Sequence, residues 1–308
     1  MTMTTTTRPT ETRSTVERVR RSSAGVAVTD AAKFVLRRIG MATASTRPGP
    51  ELLIVGAKRG GTTSLWRYLI EHPGVLPTFP RAEKIKGTYF FDENFAKGEQ
   101  WYLSHFPTLR RRRELERQLG YAPVTMEASP YYLFHPLAPQ RARDLLPDTQ
   151  VVAVLRNPIE RAFSHWKERR NHTEDLPFSD ALELEEERTA GEEARILADP
   201  GYVSFPHRHQ TYVAQGCYAP MLERWYAAFP RDQVTVLAAE EFYANPQALL
   251  DDLCDKVGIP RRRLESVEPF NSEPSADMDP SVRAQLAERM APEIAAVESI
   301  LGRPMPWS

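Results

Sequence analysis

Apolar and polar positions divide the chain into short apolar runs followed by helical stripes. Glu51-Leu-Leu-Ile-Val-Gly56 is a continuous apolar run closed by glycine, the pattern of a strand buried on both faces. After a Gly/Thr stretch, Leu65, Trp66, Leu69 and Ile70 recur at helical spacing until His72-Pro73-Gly74 stops them. The same order returns at Gln150-Val-Val-Ala-Val-Leu155, where Arg156-Asn157-Pro158 leads into a helix with Ala162, Phe163 and Trp166 on one face. Pro158 suits a first helical turn, whose N–H groups have no intrahelical partner. Val234-Thr-Val-Leu237, followed by a helix from Pro246 to Val257, is a third unit, and Val124-Thr125-Met126 is a fourth strand. Strands alternating with helices predict an α/β fold: a three-layer parallel sheet with helices on both faces.

Residues 1–48 read differently. Met1 to Thr15 is a Thr/Arg run with too little apolar surface to offset chain entropy, so a disordered, basic leader is expected. Val16 to Gly40 sets Val19, Val26, Ala31, Phe34 and Val35 among Arg18, Arg20, Arg21, Arg37 and Arg38. That is a candidate short basic amphipathic helix, solvated or packed onto the domain, with weak peripheral membrane contact as its other use. No apolar core with a small-residue cleavage site marks a secretory signal, and no run is long enough for a transmembrane segment. Arg47-Pro-Gly-Pro50 reads as a linker, so the folded domain is expected to span 49–308. Cys217 and Cys254 form no disulfide framework and suit a reducing compartment, which makes a cytoplasmic location the expectation.

The 308 residues would admit two domains, but the units run on without a break and favour one. The apolar fraction of 41% and charged fraction of 26% are those of an ordinary globular protein. Forty basic against 41 acidic residues give a formal charge of -1, which argues against nucleic acid as a partner. Only seven of the basic residues are lysine. Guanidinium groups suit bidentate anion recognition, although base composition accounts for such a bias equally well.

Two motifs carry candidate chemistry. Gly56-Ala-Lys-Arg-Gly-Gly61-Thr62-Thr63-Ser64 is a Gly-rich turn from strand into helix, which aims backbone N–H groups and a helix dipole at one anion-sized spot. Its glycines match the spacing of the nucleotide-triphosphatase loop, and Thr63 falls at that loop's hydroxyl. Thr62 stands where the triphosphatase lysine belongs, and the cations sit earlier, at Lys58 and Arg59. A tight turn with a threonine cap reads the motif equally well. The second motif, Arg156-Asn157-Pro158 through Ser164, puts a cation at a strand's C-terminal end and a hydroxyl two helical turns on. Ligands of open α/β sheets lie there, so Arg156 and Ser164 are candidates to clasp a second phosphate of the same ligand.

This pair of motifs resembles the sulfotransferases that use 3′-phosphoadenylyl sulfate, in particular the heparan-sulfate-type branch and its bacterial relatives. Tyr89-Phe-Phe-Asp92, Trp101-Tyr-Leu-Ser-His-Phe-Pro107, Glu127-Ala-Ser-Pro-Tyr-Tyr132, Gly216-Cys-Tyr218 and Leu222-Glu-Arg-Trp225 extend it in order from about Leu52 to Gly258. The resemblance implies a P-loop NTPase-like sulfotransferase fold. It also implies a 5′-phosphosulfate site at Lys58, Arg59, Gly60, Gly61, Thr62, Thr63 and Ser64, and a 3′-phosphate site at Arg156 and Ser164 with Tyr218 nearby. The implied reaction is transfer of a sulfuryl group, by direct in-line displacement and without a metal, to a hydroxyl or amine of a carbohydrate, glycolipid or small metabolite.

Three departures matter. The family lysine falls on Arg59, with Lys58 beside it; either cation would neutralise charge on the departing oxygen. The family's usual catalytic glutamate falls on Gly87, which leaves Glu127 as first choice of base, with Glu83, Lys86 and His135 as the other candidates. Pro269 to Pro280 is Ser/Asp/Pro-rich where glycosaminoglycan enzymes carry a Gly/Lys-rich loop. The other classes open to the sequence are a P-loop small-molecule kinase and a non-catalytic nucleotide-binding module. Arg110–Arg113 and the carboxylates of Leu182 to Ala198 read as solvated helix faces, and His207-Arg208-His209 as a surface loop. The aromatic residues at 101, 102, 131, 132 and 212 read mainly as core.

Overall fold

Five parallel strands form the centre: β1 (Leu52–Gly56), β2 (Val75–Leu76), β3 (Val124–Ala128), β4 (Gln150–Leu155) and β5 (Val234–Ala238), in the order β2-β3-β1-β4-β5. The computed structural model describes residues 23–80, 85–264 and 277–307. Successive residues of the central strands serve opposite cores, as period-two geometry requires. Leu53, Val55, Val151, Ala153 and Leu155 pack with Phe90, Tyr132 and Trp225 on one face. Leu52, Ile54, Val152 and Val154 pack with Leu65, Leu69 and Leu250 on the other. Both faces are covered, so the apolar runs show no alternation. The two-residue strand β2 escapes sequence reading because it is too short to carry a pattern.

The helices that matter for the site follow the strand ends: α1 (Thr62–Ile70) after β1, α2 (Pro158–Arg170) after β4, α3 (Phe205–His209), and α4 (Ala239–Ala244) after β5. Asn157 caps α2, its side chain accepting from Ile159 and Glu160 amides, with Pro158 in the first turn. A third cluster, with Ile159, Phe163, Tyr212 and Met290, seats α2 against the long helix Pro280–Leu301. Beyond that helix, the Trp307 indole donates to Glu240 Oε2 (2.8 Å), while Glu240 Oε1 accepts from the Asn157 amide (3.0 Å). The C-terminal segment thereby fixes the loop after β4.

Ahead of the sheet, a helix spans Ser23–Ala42. Its Arg37 donates to the Phe79 carbonyl (2.9 Å) and to Ser104 Oγ (3.2 Å), while Phe34, Val35 and Ile39 are exposed. Arg47 is buried over the Phe79 ring and donates to the Phe106 carbonyl. Val19 and residues 1–22 generally lie outside the described part.

One polar stretch departs from expectation. Leu182 to Ala198 breaks into short helices, and two of its carboxylates, Glu185 and Glu192, are buried rather than solvated. Glu185 accepts from the Val213 (2.7 Å) and Ala214 (2.8 Å) amides, and Glu192 from the Tyr202 hydroxyl (2.7 Å). Amides of an irregular segment need acceptors once buried, and these side chains provide them. Arg110–Arg113 does lie on a largely exposed helix, Leu109–Leu119, although Arg112 turns back to pair with Glu51.

Candidate active site

The turn after β1 enters α1 through Gly61 at φ 104°, and no side chain caps that N-terminus. The left-handed backbone is a conformation glycine adopts without cost; Ser64 and Leu65 donate to the Gly61 carbonyl, and the Thr62 and Thr63 amides ahead of them remain available to an anion. Thr62, Thr63 and Ser64 line the same wall of a cavity of about 420 Å³ beyond the strand C-termini. From the loop ahead of Phe90, Lys86 brings its Nζ to Thr62 Oγ1 (3.2 Å) and Thr63 Oγ1 (3.0 Å). Burial, with Arg67 nearby, lowers its pKa to about 8.

Lys58 and Arg59 diverge. Lys58 Nζ sits 3.7 Å from Glu168 Oε2 and 3.5 Å from His209 Nδ1. Burial pulls its pKa down to about 7 against the opposing pull of Glu168. Arg59, at φ 68°, turns the other way and donates from Nε to Ser164 Oγ (3.0 Å). That bond joins the first motif to the second, whose Arg156 is also on the cavity wall. Arg169 and Arg208 add two further cations. Arg208 lies over the rings of Tyr89 (5.0 Å) and Tyr131 (5.1 Å) and pairs with Glu93. Lys58, Arg59, Lys86, Arg156, Arg169 and Arg208 thus surround a wall on which Glu168 is the one carboxylate among the described residues.

Nine sequence candidates meet at this cavity: Lys58, Arg59, Gly61, Thr62, Thr63, Ser64, Lys86, Arg156 and Ser164. Others do not. Gly60 lies behind the loop, its amide donating to the Ala57 carbonyl (2.9 Å). Tyr218 is buried and acts on the loop from below, donating to the Arg156 carbonyl (2.8 Å). Glu127 is fully buried off the cavity, and its Oε1 is taken by Thr88, Ser129 and Tyr132; the geometry removes it from the position a base must occupy. His135 is likewise buried away from the wall, with Nδ1 accepting from the Leu137 amide (3.3 Å) and its pKa lowered to about 3 by burial and nearby Arg141. Glu83 lies outside the described residues.

His207-Arg208-His209 is not a surface loop: it forms α3, with His207 buried and Arg208 and His209 on the cavity wall. Tyr102, Tyr132 and Tyr212 are core, whereas Tyr131 is both buried and on the wall. Sequence reading missed Glu168, Arg169, Tyr89 and Tyr243, all of them on the wall. Glu168 carries a usable signal, since it stands one helical turn after Ser164 and shares its face. Tyr243, whose hydroxyl lies 3.4 Å from Ser64 Oγ, follows a different strand and carries none.

Gly87 also has a local reason. A Cβ there would lie 2.4 Å from the Ala128 carbonyl oxygen and 2.4 Å from Ser129 Oγ, so this turn passes too close to the end of β3 to admit a side chain. Gly87→Ala is expected to cost about 1–3 kcal/mol of stability, read from the shift of a urea unfolding midpoint.

Fold and site define an α/β protein that gathers cations beyond the C-terminal ends of its parallel strands, where such folds hold ligands. The chain belongs to the sulfotransferase family, whose domain model matches residues 49–273. It is 31% identical over 212 residues to the heparan sulfate glucosamine 3-O-sulfotransferase 3B1 of Homo sapiens, covering 69% of this chain and 47% of that protein. It is 30% identical over 213 residues to the bifunctional heparan sulfate N-deacetylase/N-sulfotransferase 1 of Mus musculus, covering 68% of this chain and 22% of that protein. The chain therefore spans between about a fifth and a half of the length of these relatives. A crystal structure of a sulfotransferase from Alicyclobacillus acidocaldarius superposes with a TM-score of 0.60 at 29% identity, covering 83% of this chain and 97% of that one.

Proposed function

We propose that the protein transfers a sulfuryl group from 3′-phosphoadenylyl sulfate to a hydroxyl or amine of a carbohydrate acceptor. The observation that carries this reading is the Arg59–Ser164 bond, which fuses two anion sites into one cavity. The uncapped start of α1, with Thr62, Thr63 and Lys86, suits the 5′-phosphosulfate. Arg156 and Ser164 suit the 3′-phosphate, and Tyr218 and Glu240 hold their loop in place. The acceptor's oxygen or nitrogen attacks sulfur in line and gives up its proton, and adenosine 3′,5′-bisphosphate leaves. Arg59 and Lys86 meet the charge that grows on the departing oxygen, Arg59 purely as a fixed charge. The carbohydrate class is supported by relatives named for heparan sulfate.

Adenosine 3′,5′-bisphosphate at a hundred times its Kd is expected to stabilise the protein by about 2.7 kcal/mol, seen as a raised Tm. A rise with magnesium ATP and none with the bisphosphate would leave the kinase reading instead. Binding without labelled-sulfate transfer to any carbohydrate acceptor would leave the non-catalytic one.

The affinity has a pH dependence with a definite sign. An anion is favoured by ammonium groups, and those of Lys58 and Lys86 deprotonate at about 7 and about 8. Affinity for the bisphosphate is therefore greatest at about pH 6 and falls as pH rises through 7 and 8, and isothermal titration calorimetry should record proton uptake on binding. A flat profile from pH 6 to 9 would remove both lysines from the nucleotide's neighbourhood.

A further inference from the structure

Transfer to a neutral hydroxyl or amine needs a group that takes its proton, and the residues singled out by sequence do not supply it. Gly87 has no room for a side chain, and Glu127 and His135 are turned away from the cavity. On the cavity wall the titratable groups that remain are cations, tyrosines, His209 and Glu168.

His209 has no lone pair to offer. Its Nδ1 lies 2.6 Å from Arg169 Nη1 and 3.5 Å from Lys58 Nζ. Both neighbours are donors, so Nδ1 accepts and Nε2 carries the ring proton. Burial and the same cations hold the ring neutral, with a pKa near 3. Lys86 spends its ammonium on Thr62 and Thr63, and Lys58 spends its own on Glu168 (3.7 Å) and the Arg208 carbonyl (3.5 Å).

Glu168 is different. It stands four residues after Ser164 on the same face of α2, so it faces the space that Ser164 and Arg59 border. Two cations hold it from the side, with Oε2 3.7 Å from Lys58 Nζ and Oε1 3.7 Å from Arg169 Nη2. Oε2 is shut off from solvent, yet it accepts no hydrogen bond from any described residue. The side chain as a whole keeps 30% of its surface exposed on the cavity wall, so the carboxylate presents its other oxygen to an acceptor O–H or N–H.

We infer that Glu168 is the general base of the transfer, standing in for the carboxylate that Gly87 cannot carry. This rests on the sulfotransferase reading above. The Glu168 carboxylate takes the acceptor's proton as the acceptor–sulfur bond forms. The sulfur–oxygen bond to the 5′-phosphate breaks, and its electron pair leaves with adenosine 3′,5′-bisphosphate. The carboxylic acid then returns the proton to water, so no further reactant is needed.

The reverse reaction tests this without knowledge of the acceptor. The protein is supplied with adenosine 3′,5′-bisphosphate and an aryl sulfate, and formation of 3′-phosphoadenylyl sulfate is followed. In this direction protonated Glu168 acts as the acid. Phenyl sulfate needs that proton because phenolate is a basic leaving group, whereas p-nitrophenolate leaves largely without help. Glu168→Gln is expected to lower the ratio of phenyl sulfate to p-nitrophenyl sulfate turnover about a hundredfold, the scale of general acid–base catalysis. Glu168→Asp keeps a carboxylate and should restore much of the ratio; it also serves if the glutamine variant does not fold. An unchanged ratio, with both sulfates slowed alike or not at all, overturns the assignment and leaves Glu168 a partner of Lys58. If the unaltered protein converts neither sulfate, the sulfotransferase reading itself fails and Glu168 falls with it.

Discussion

Arg59→Ala is expected to lower the rate of sulfuryl transfer about 10²- to 10³-fold, the usual scale for removing one preorganised charge from a developing oxyanion. The geometry explains why this cation should count for more than its neighbours. Lys58 faces Glu168 and His209 and Lys86 faces two threonine hydroxyls, so Arg59 alone ties the loop after β1 to Ser164 on α2. A ligand spanning the two anion sites must pass this guanidinium. Stability should change little, within about 0.5 kcal/mol, because Arg59 is partly exposed and alanine inherits the same left-handed backbone. Arg59→Lys keeps the charge and matches the residue that the resemblance places here. It should retain most of the rate and lose some nucleotide affinity, since a lysine cannot present a planar fork. The check is single-turnover transfer from labelled donor, set beside bisphosphate affinity. A rate within tenfold of the unaltered protein would hand the role to Lys58 or Lys86.

What was legible in the sequence follows physical lines. The strands β1, β3, β4 and β5 announce themselves because both faces of the sheet are covered, which turns each into an apolar run. Both anion motifs are legible because they are continuous in sequence: backbone N–H groups and a following hydroxyl do their work within one turn and one helix. The proton-transfer chemistry is not legible for the converse reason. Lys86 and Tyr89 come from one loop, Glu168 from α2, Arg208 from α3 and Tyr243 from α4, and only the packing of those segments brings them to one wall. Glu127 misled because a carboxylate at a strand end looks functional. The strand end that exposes a residue in an open sheet is here roofed by the turn carrying Gly87, whose Lys86 carbonyl accepts from the Ala128 amide (3.0 Å). Glu185 and Glu192 misled in the opposite sense: a run of carboxylates reads as solvated, yet buried amides and hydroxyls nearby claimed two of them.

Glu127→Ala is expected to destabilise the protein by about 3–5 kcal/mol, the cost of stranding a buried polar cluster. Its Oε1 accepts from the Thr88 amide (2.8 Å), Thr88 Oγ1 (2.7 Å), Ser129 Oγ (2.9 Å) and the Tyr132 hydroxyl (2.8 Å). Two of those donors are themselves acceptors for the next stretch of chain. Ser129 Oγ receives the Tyr89 amide (3.1 Å), and the Tyr132 hydroxyl receives those of Phe90 (2.6 Å) and Phe91 (3.2 Å). The segment from Thr88 to Phe91 therefore hangs from one carboxylate oxygen, with Lys86 and Tyr89 reaching the cavity from its start. Alanine removes the acceptor on which all of these bonds converge. The loss should appear in urea unfolding and, through a displaced Lys86, as weakened bisphosphate binding. Glu127→Gln separates scaffold from chemistry, because the amide oxygen takes the place of Oε1 among the same donors while the NH₂ group takes that of Oε2 and can donate to the buried Tyr102 hydroxyl beside it. Glutamine should thus keep turnover within a few-fold and lose much less stability than alanine. A Glu127→Gln protein that folds and binds normally but transfers sulfate a hundredfold more slowly would return the base to Glu127 and take it from Glu168.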